Sequence, residues 1–425
     1  MELINNNQVP EGYKKTEVGV IPEDWEAKLL GDIFCLKNGF SFKSEYFSSS
    51  GPIVLTPGNF NLDGGLYFNE RNIKRYSGSF PESMIFKNGD LLVVMTDLTP
   101  DCNLLGKPAF VDSEETILHN QRIGKINLLS ESIDQFFLYF ILLSSPYLKK
   151  IKEQATGSTV RHTSNKSIYS ISLPIPKTKE EQKAIAQTLS DVDALIVALD
   201  KLIAKKRNIK TATMQQLLTG KTRLQGFGGE WEVKRLGVLA KFYKGMGLSK
   251  AELTKFGKNE CIHYGELFTT YCEKISIVVS KTNKEKNVFY SQKNDVLMPT
   301  SDVTPNGLAT ASCIKKSDVI LGGDILIIRS SKEDIEGEFL AYAIKLNRNQ
   351  IMQLISGTTV FHLYGRDMAR FIFSIPISLP EQKAIAQVLS DMDKEITALE
   401  KRRTKTQAIK QGMMQELLTG KTRLI

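Results

Sequence analysis

The sequence predicts a mixed α/β (α+β) protein in which two similar globular domains are joined by two long helices that form an antiparallel coiled coil with internal pseudo-two-fold symmetry. Three observations predict it. Residues 181–224 return, shifted by 200 positions, as residues 381–424, with 28 of the 44 aligned residues identical. The stretches between these repeats keep only scattered anchors in common. The repeated segments carry an apolar helical seam whose flanking charges change sign part-way along.

Length and composition set the frame. A chain of 425 residues exceeds what one core holds and divides into several domains. Its 41% hydrophobic and 24% charged residues describe an ordinary globular chain. The most apolar run, Phe136 to Leu143, falls far short of the roughly 20 residues that cross a bilayer, so no membrane is expected. The polar start, MELINNNQVPEGYKK, lacks the apolar core of a signal peptide. Five cysteines, odd in number and without a CxxC pair, point to reduced thiols and a cytoplasmic location. A net charge of +9 suits a polyanionic partner, but alone it decides little.

The anchors divide the chain. Asp24-Trp25-Glu26 with Leu30-Gly31 matches Glu230-Trp231-Glu232 with Leu236-Gly237, and GSTVRH at 157–162 matches GTTVFH at 357–362. Asp90-Leu-Leu-Val-Val-Met leading to Thr96-Asp97 parallels Asp295-Val-Leu-Met leading to Ser301-Asp302. The expected parts are an N-terminal segment 1–19, a first domain 20–177, a central helix 178–219, a linker 220–225, a second domain 226–377 and a C-terminal helix with tail, 378–425.

Each helix has signed ends. Thr178-x-x-Glu181 and Ser378-x-x-Glu381 read as capping boxes, Pro380 suits a first turn, and Gly220 and Gly420 suit left-handed C-terminal caps. About 40 residues at 1.5 Å each give a rod roughly 60 Å long. Ile185, Leu189, Val192, Ile196, Leu199 and Ile203 step by fours and threes, as do Ile385, Leu389, Met392, Ile396 and Leu399, which is the seam of a coiled coil. The plainer reading, each seam packed on its own domain, suits a helix of ordinary length better than one of this length.

Charge selects the direction. Glu180, Glu181, Asp191, Asp193 and Asp200 precede Lys201, Lys205, Lys206, Arg207 and Lys210; Glu381, Asp391, Asp393, Glu395 and Glu400 precede Lys401, Arg402, Arg403, Lys405 and Lys410. Parallel pairing would set like charges together, and antiparallel pairing sets opposites together. Such pairs choose orientation more than they add stability. Equivalent antiparallel helices imply a two-fold axis, which matches the local two-folds of duplex DNA; unlike domains on such an axis would read unlike half-sites.

The EQKAIA start and LLTGKTRL end of each helix, the DW/EW opening of each half and the two dissimilar domains resemble the specificity subunit of type I restriction-modification enzymes. The resemblance covers nearly the whole chain. It implies two target recognition domains, each reading one half of a bipartite asymmetric site on double-stranded DNA, with the helices as spacer. It also implies docking of two methyltransferase (modification) subunits, joined by restriction (translocase) subunits. The chain itself would be non-catalytic and cofactor-free, with S-adenosylmethionine, ATP and Mg²⁺ used by the partner subunits.

The residues agree about chemistry. GKT after Gly220 and Gly420 lacks the earlier glycine of a phosphate loop, since Gln215 and Gln415 stand there. Gly226-Phe-Gly-Gly reads as a linker, and no NPPY-like tetrapeptide is present. His119, His162, His263 and His362 form no metal pattern. No catalytic or metal residue is assigned.

Candidate DNA contacts come in three groups. In the turns, Ser158, Thr159, Arg161 and His162, with Thr358, Thr359, Phe361 and His362, suit phosphate contacts plus a variable base-reading position; they also suit a turn packing the domain onto its helix. The loops with Lys37, Phe40 and Lys43, and with Lys241, Tyr243 and Lys244, are basic and aromatic, but Phe42 and Phe242 beside them also suit core packing. Arg71, Lys74 and Arg75 surround Tyr76. The alternative to a sequence-reading protein is a non-catalytic coiled-coil DNA-binding adaptor without sequence preference.

Overall fold

The computed structural model describes residues 9–99, 101–330 and 334–424. The chain divides into two compact units, one made of residues 1–198 and 403–425 and the other of residues 199–402. Each division point falls inside a long helix, so each unit holds the first half of one helix and the second half of the other. The helices run Lys179–Leu217 and Leu379–Leu417, 39 residues each.

In the first unit an antiparallel sheet of four strands has the order Phe34–Asn38, Ile123–Leu128, Leu91–Val94, Pro108–Phe110. A three-stranded sheet places Phe47–Val54 between Ile117–Leu118, which is parallel to it, and Arg75–Tyr76. Trp25–Leu29 pairs with Ser172–Pro176, the strand that leads into the first long helix. The sequence sets residues 1–19 apart as a segment. Residues 1–8 lie outside the described residues; Tyr13–Thr16 pairs with Gly19–Pro22, and the Tyr13 hydroxyl donates to the Gly420 carbonyl at 3.1 Å.

The second unit repeats this plan. Ala240–Lys244, Ile325–Ser330, Val296–Pro299 and Ser312–Ile314 form the counterpart sheet, extended by a fifth strand, Lys274–Ile275. Asn259–Ile262 lies between Ser280–Thr282 and Ile320–Leu321, again with one parallel neighbour. Trp231–Arg235 pairs with Ile372–Pro376. Runs such as Leu91–Val94 and Val296–Pro299 are buried along their whole length, which is why they read as continuous apolar strands rather than alternating ones.

Within each unit the helix segments run antiparallel. In the second unit Arg207 meets Glu400 at 2.5 Å and Lys210 meets Asp393 at 2.5 Å, a higher number on one helix against a lower one on the other, with Lys206 on Glu395 at 2.6 Å in the same stretch. In the first unit Lys410 meets Asp193 at 2.6 Å, the same pair with the helices exchanged. Acid-first, base-last helices make these contacts only in the antiparallel sense.

The seam serves the domains as well as the helix pair. Ile185 and Leu189 lie in one core with Trp25, Phe137, Tyr147 and the other helix's Leu417 and Leu418; Ile385 and Leu389 lie with Phe339, Tyr342, Phe371, Met214, Leu217 and Leu218. Thus the first turns of each helix are core residues of their own domain, capped by the far end of the other helix. Leu199, Ile203 and Ile396 are buried, whereas Val192, Ile196, Met392 and Leu399 are half-buried.

The capping boxes do not form. Glu181 accepts from Trp25 Nε1 at 3.1 Å and from Arg423, and Glu381 accepts from Arg223 Nε and Nη2 at 2.6 and 2.7 Å. A carboxylate engaged by an arginine fork has a stronger, charge-assisted partner than a backbone N–H at the helix start.

Candidate nucleic-acid interface

The retained residues build a clamp. Arg423, next to last in LLTGKTRL, sends Nε and Nη2 to Glu181 at 2.5 and 2.9 Å and two further bonds to Asp24 at 2.8 and 2.6 Å, with its guanidinium over the Trp25 ring. Arg223 does the same to Glu381 while lying over Trp231. Gly220 and Gly420 adopt left-handed φ of +71° and +72°, which favours glycine, and their hydrogens face Trp231 and the Pro22–Trp25 corner. A side chain at Gly420 would meet Pro22 at 2.6 Å. The octapeptide, the EQ of EQKAIA and the tryptophan are therefore one structural device, present once in each unit. The Arg423 side chain keeps its charge far above the usual range because Glu181 and Asp24 hydrogen-bond to it.

A second pair of matched contacts lies further along. Lys210 sits over the Tyr342 ring, with the Tyr342 hydroxyl donating to Asp393 at 2.7 Å; Lys410 sits over Phe140. Burial, with the Asp393 charge beside it, raises the Tyr342 hydroxyl well above its ordinary pKa, so it remains a donor.

Against this constant frame stand the candidate DNA residues. The GSTVRH and GTTVFH turns are tight loops closed by paired backbone bonds, Thr156 with His162 and Ser356 with His362. Gly157 and Gly357 have φ of +95° and +114°, and a Cβ on either would lie within 2.2 Å of the Val160 or Val360 carbonyl oxygen. Glycine is required there. The turns present Ser158, Thr159, Thr358 and Thr359 to solvent. Arg161 folds back, its Nη1 on the Gly157 carbonyl at 2.7 Å, and Phe361 packs on the core of the second unit. His162 lies exposed with Nδ1 3.1 Å from the Thr96 hydroxyl.

The loops divide similarly. Lys37 donates to the Ser83 carbonyl, Lys43 is exposed, and Phe40 meets Phe42, which meets Tyr76, so the 37–43 loop lies beside the strand bearing Arg75. Arg75 is bound to Glu115 at 2.5 Å and to the Gly51 carbonyl, while Arg71 and Lys74 are exposed. Phe42 and Phe242 pack against buried clusters.

In the second unit Tyr243, Lys244 and His362 come together around a cleft of about 350 Å³ that also includes Phe242, Asp324 and Tyr364. Lys241 is exposed on the same strand. Lys244 lies 3.4 Å from Asp324, His362 stacks on Tyr364, and Arg366 covers that ring. Sequence reading missed Tyr364, Arg366 and Asp324. Only the spacing of Tyr364 from the GTTVFH turn marked it, since its counterpart in the first half is Ser164.

A model of the type I restriction modification DNA specificity domain matches this chain twice, over residues 22–210 and 228–411. The chain belongs to the type I DNA specificity family. Among its relatives are the putative type I restriction enzyme MjaX specificity subunit of Methanocaldococcus jannaschii, 27% identical with 97% of each protein covered, and the MjaIX specificity subunit of the same organism, 22% identical over 97% of this chain and 96% of the relative. The crystal structure of the type I restriction-modification S subunit from M. genitalium shares the fold, with a TM-score of 0.60 over 98% of both chains at 17% identity. The two family matches each run from the domain-opening strand into the long helix that follows it, so the repeat seen in the sequence is a repeat of the family's domain. No helix among the described residues is long and apolar enough to cross a membrane.

Proposed function

We propose that the chain is the DNA sequence-specificity subunit of a cytoplasmic type I restriction-modification complex, with each globular domain reading one half of a bipartite, asymmetric site. The paired helices set the gap between half-sites and dock two modification subunits, to which restriction subunits are added. The chain carries no catalysis; S-adenosylmethionine, ATP and Mg²⁺ are used by the partner subunits. In this reading the domains are residues 20–177 and 226–377, and the solvent-facing candidates Lys43, Arg71, Lys74, Ser158, Thr159, His162, Lys241, Lys244, Thr358 and Thr359, with the half-buried His362 of the cleft, approach the duplex.

One observation carries it: the residues that clamp helix to domain, Trp25, Glu181, Gly420 and Arg423, recur as Trp231, Glu381, Gly220 and Arg223, whereas among the candidate loops only the turns at Gly157 and Gly357 recur and those around Lys43, Arg71 and Lys241 differ. A holder of two unlike readers has that distribution, because the frame must be constant and the reading surfaces must not. The test is selection of bound fragments from a random duplex pool by the full chain, alone and with the modification subunits of its own system. Two unlike motifs at a single fixed gap are expected. A coiled-coil adaptor without sequence preference would enrich none, and methylation or cutting by the chain alone would contradict the non-catalytic assignment.

A further inference from the structure

We propose that Phe256 is an aromatic wedge that enters a base step within the half-site read by the second domain; this rests on the duplex-reading function above. Phe256 is 94% exposed, and no large hydrophobic among the described residues is more so. A single apolar residue in water means little by itself. Three further features give this one a role.

The first is rigidity. The residue after it, Gly257, is buried against the neighbouring strand, where a Cβ would lie 2.5 Å from the Thr282 backbone nitrogen. On either side, the Thr254 N–H donates to the Lys281 carbonyl at 2.8 Å and the Lys258 N–H donates to Asn283 Oδ1 at 3.2 Å. The Phe256 N–H itself donates to the Thr254 hydroxyl at 3.3 Å, and the Thr282 hydroxyl donates to the Glu252 carbonyl at 2.9 Å. The ring is thus held out on a braced bulge.

The second is charge. Residues 250–258 and 281–286 hold six lysines (250, 255, 258, 281, 284 and 286) against Glu252 and Glu285, a net of +4. Glu252 is taken by Lys284 at 2.9 Å and Glu285 by Lys258 at 3.9 Å. Among the described residues Lys255, Lys281 and Lys286 have no carboxylate at ion-pair distance. An apolar tip ringed by free cations suits a polyanion whose phosphates flank an apolar stack, since lysines can hold the backbone while the ring enters between bases.

The third is the counterpart. At an offset of 206 the first domain has Ser48-Ser49-Ser50-Gly51, in a strand whose register shifts between Ser48 and Ile53. Gly51 presses on its neighbour strand as Gly257 does, with a Cβ 2.4 Å from the Tyr76 carbonyl oxygen. One bulge, built twice, presents small hydroxyls in one half and a phenyl ring between lysines in the other. The wedge therefore belongs to one half-site only.

The experiment uses the full chain assembled with its modification subunits on the selected duplex. 2-Aminopurine is placed in turn at each position of the second domain's half-site, and donor and acceptor dyes at the duplex ends report bending. Wild type is expected to raise fluorescence at one step and to bend the duplex. Phe256→Ala should abolish that rise, straighten the DNA and bind about tenfold more weakly, from the loss of one stacked ring, while enriching the same sequence. Phe256→Leu, still an apolar wedge, should keep part of the bend. The residue is exposed, so thermal melting of both variants should match wild type.

A Phe256→Ala complex that still bends the duplex and keeps the fluorescence rise overturns the wedge and leaves sequence reading intact. Loss of modification-subunit association, with unchanged DNA deformation in the complex that does assemble, also overturns it and assigns the ring to a protein contact. A wild-type chain that enriches no sequence overturns the reading and the wedge together.

Discussion

The two units share a plan and differ at their tips. Both hold a helix start inside the domain core, an arginine fork on a buried glutamate, a glycine turned against a tryptophan corner and a lysine over an aromatic ring. At the tips the first unit has Ser49 and Ser50 where the second has Lys255 and Phe256, and Ser164 where the second has Tyr364. The interior differs too: His119 of the first unit, which follows the strand Ile117–Leu118, has Gly322 as its counterpart after Ile320–Leu321. The contacts common to both units hold helix to domain. What varies faces outward, or fills its own core in its own way.

That contrast can be broken most forcefully at the shared core. Leu189→Asp and Leu389→Asp each place a carboxylate among buried apolar groups, costing more than about 4 kcal/mol and unfolding one unit. Hydrogen exchange should show loss of protection in the first unit for Leu189→Asp and in the second for Leu389→Asp. Equal loss in both units for either variant would mean that they do not fold as separate cores.

The clamp comes next. Arg423→Ala strands Glu181, whose side chain is 5% exposed, and Arg223→Ala strands Glu381 at 1%; each should cost about 3 kcal/mol by urea unfolding, as removal of one partner from a buried pair does. Because Arg423 also holds Asp24, its loss should be the greater. A negligible effect of both would show that the repeated octapeptide is kept for some purpose other than holding helix to domain.

Acid separates the units in a third way. Burial lowers the His119 pKa from 6.5 to about 4, although the Ile123 carbonyl, accepting from Nε2 at 2.8 Å, opposes the shift. Below pH 6.5 the unfolded chain takes up a proton that the folded unit refuses until about pH 4. Stability is therefore full above pH 6.5 and falls with pH, by about 2 kcal/mol at pH 5. The first unit should lose protection before the second between pH 6.5 and 4, and His119→Gln should flatten that difference; an equal acid response in wild type and variant would remove His119 as its source.

The smallest effect is expected at the helix pair's exposed charges. Lys206→Ala removes a partner from Glu395, with the two side chains 32% and 49% exposed, and should change stability by about 0.5 kcal/mol or less. The value of that pair lies in orientation rather than strength.

Much of this was legible in the sequence. The 200-residue repeat, the seam and the change of charge sign along each helix lead to antiparallel pairing, because only that sense brings Lys210 to Asp393 and Lys410 to Asp193. The capping boxes misled because Thr178-x-x-Glu181 carries a local signal, while the actual partner of Glu181 is 242 positions away. For the same reason the purpose of LLTGKTRL was hidden: its identity in the two halves was plain, but a clamp depends on residues far apart in sequence. The interface was the least legible part. Arg75, Arg161 and Phe361 have the right chemistry for DNA, yet Glu115, the Gly157 carbonyl and a core surface already engage them. Residue type alone does not tell an engaged side chain from a free one.

The central claim is that a constant helical frame sets the spacing of two unlike readers. The most direct test inserts four residues after position 204 and four after position 404, adding about 6 Å to each helix, and repeats selection from the random pool. Both motifs should return unchanged with their gap longer by nearly two base pairs, at about 3.4 Å per base pair along each strand. Unchanged motifs at the original gap would contradict the claim.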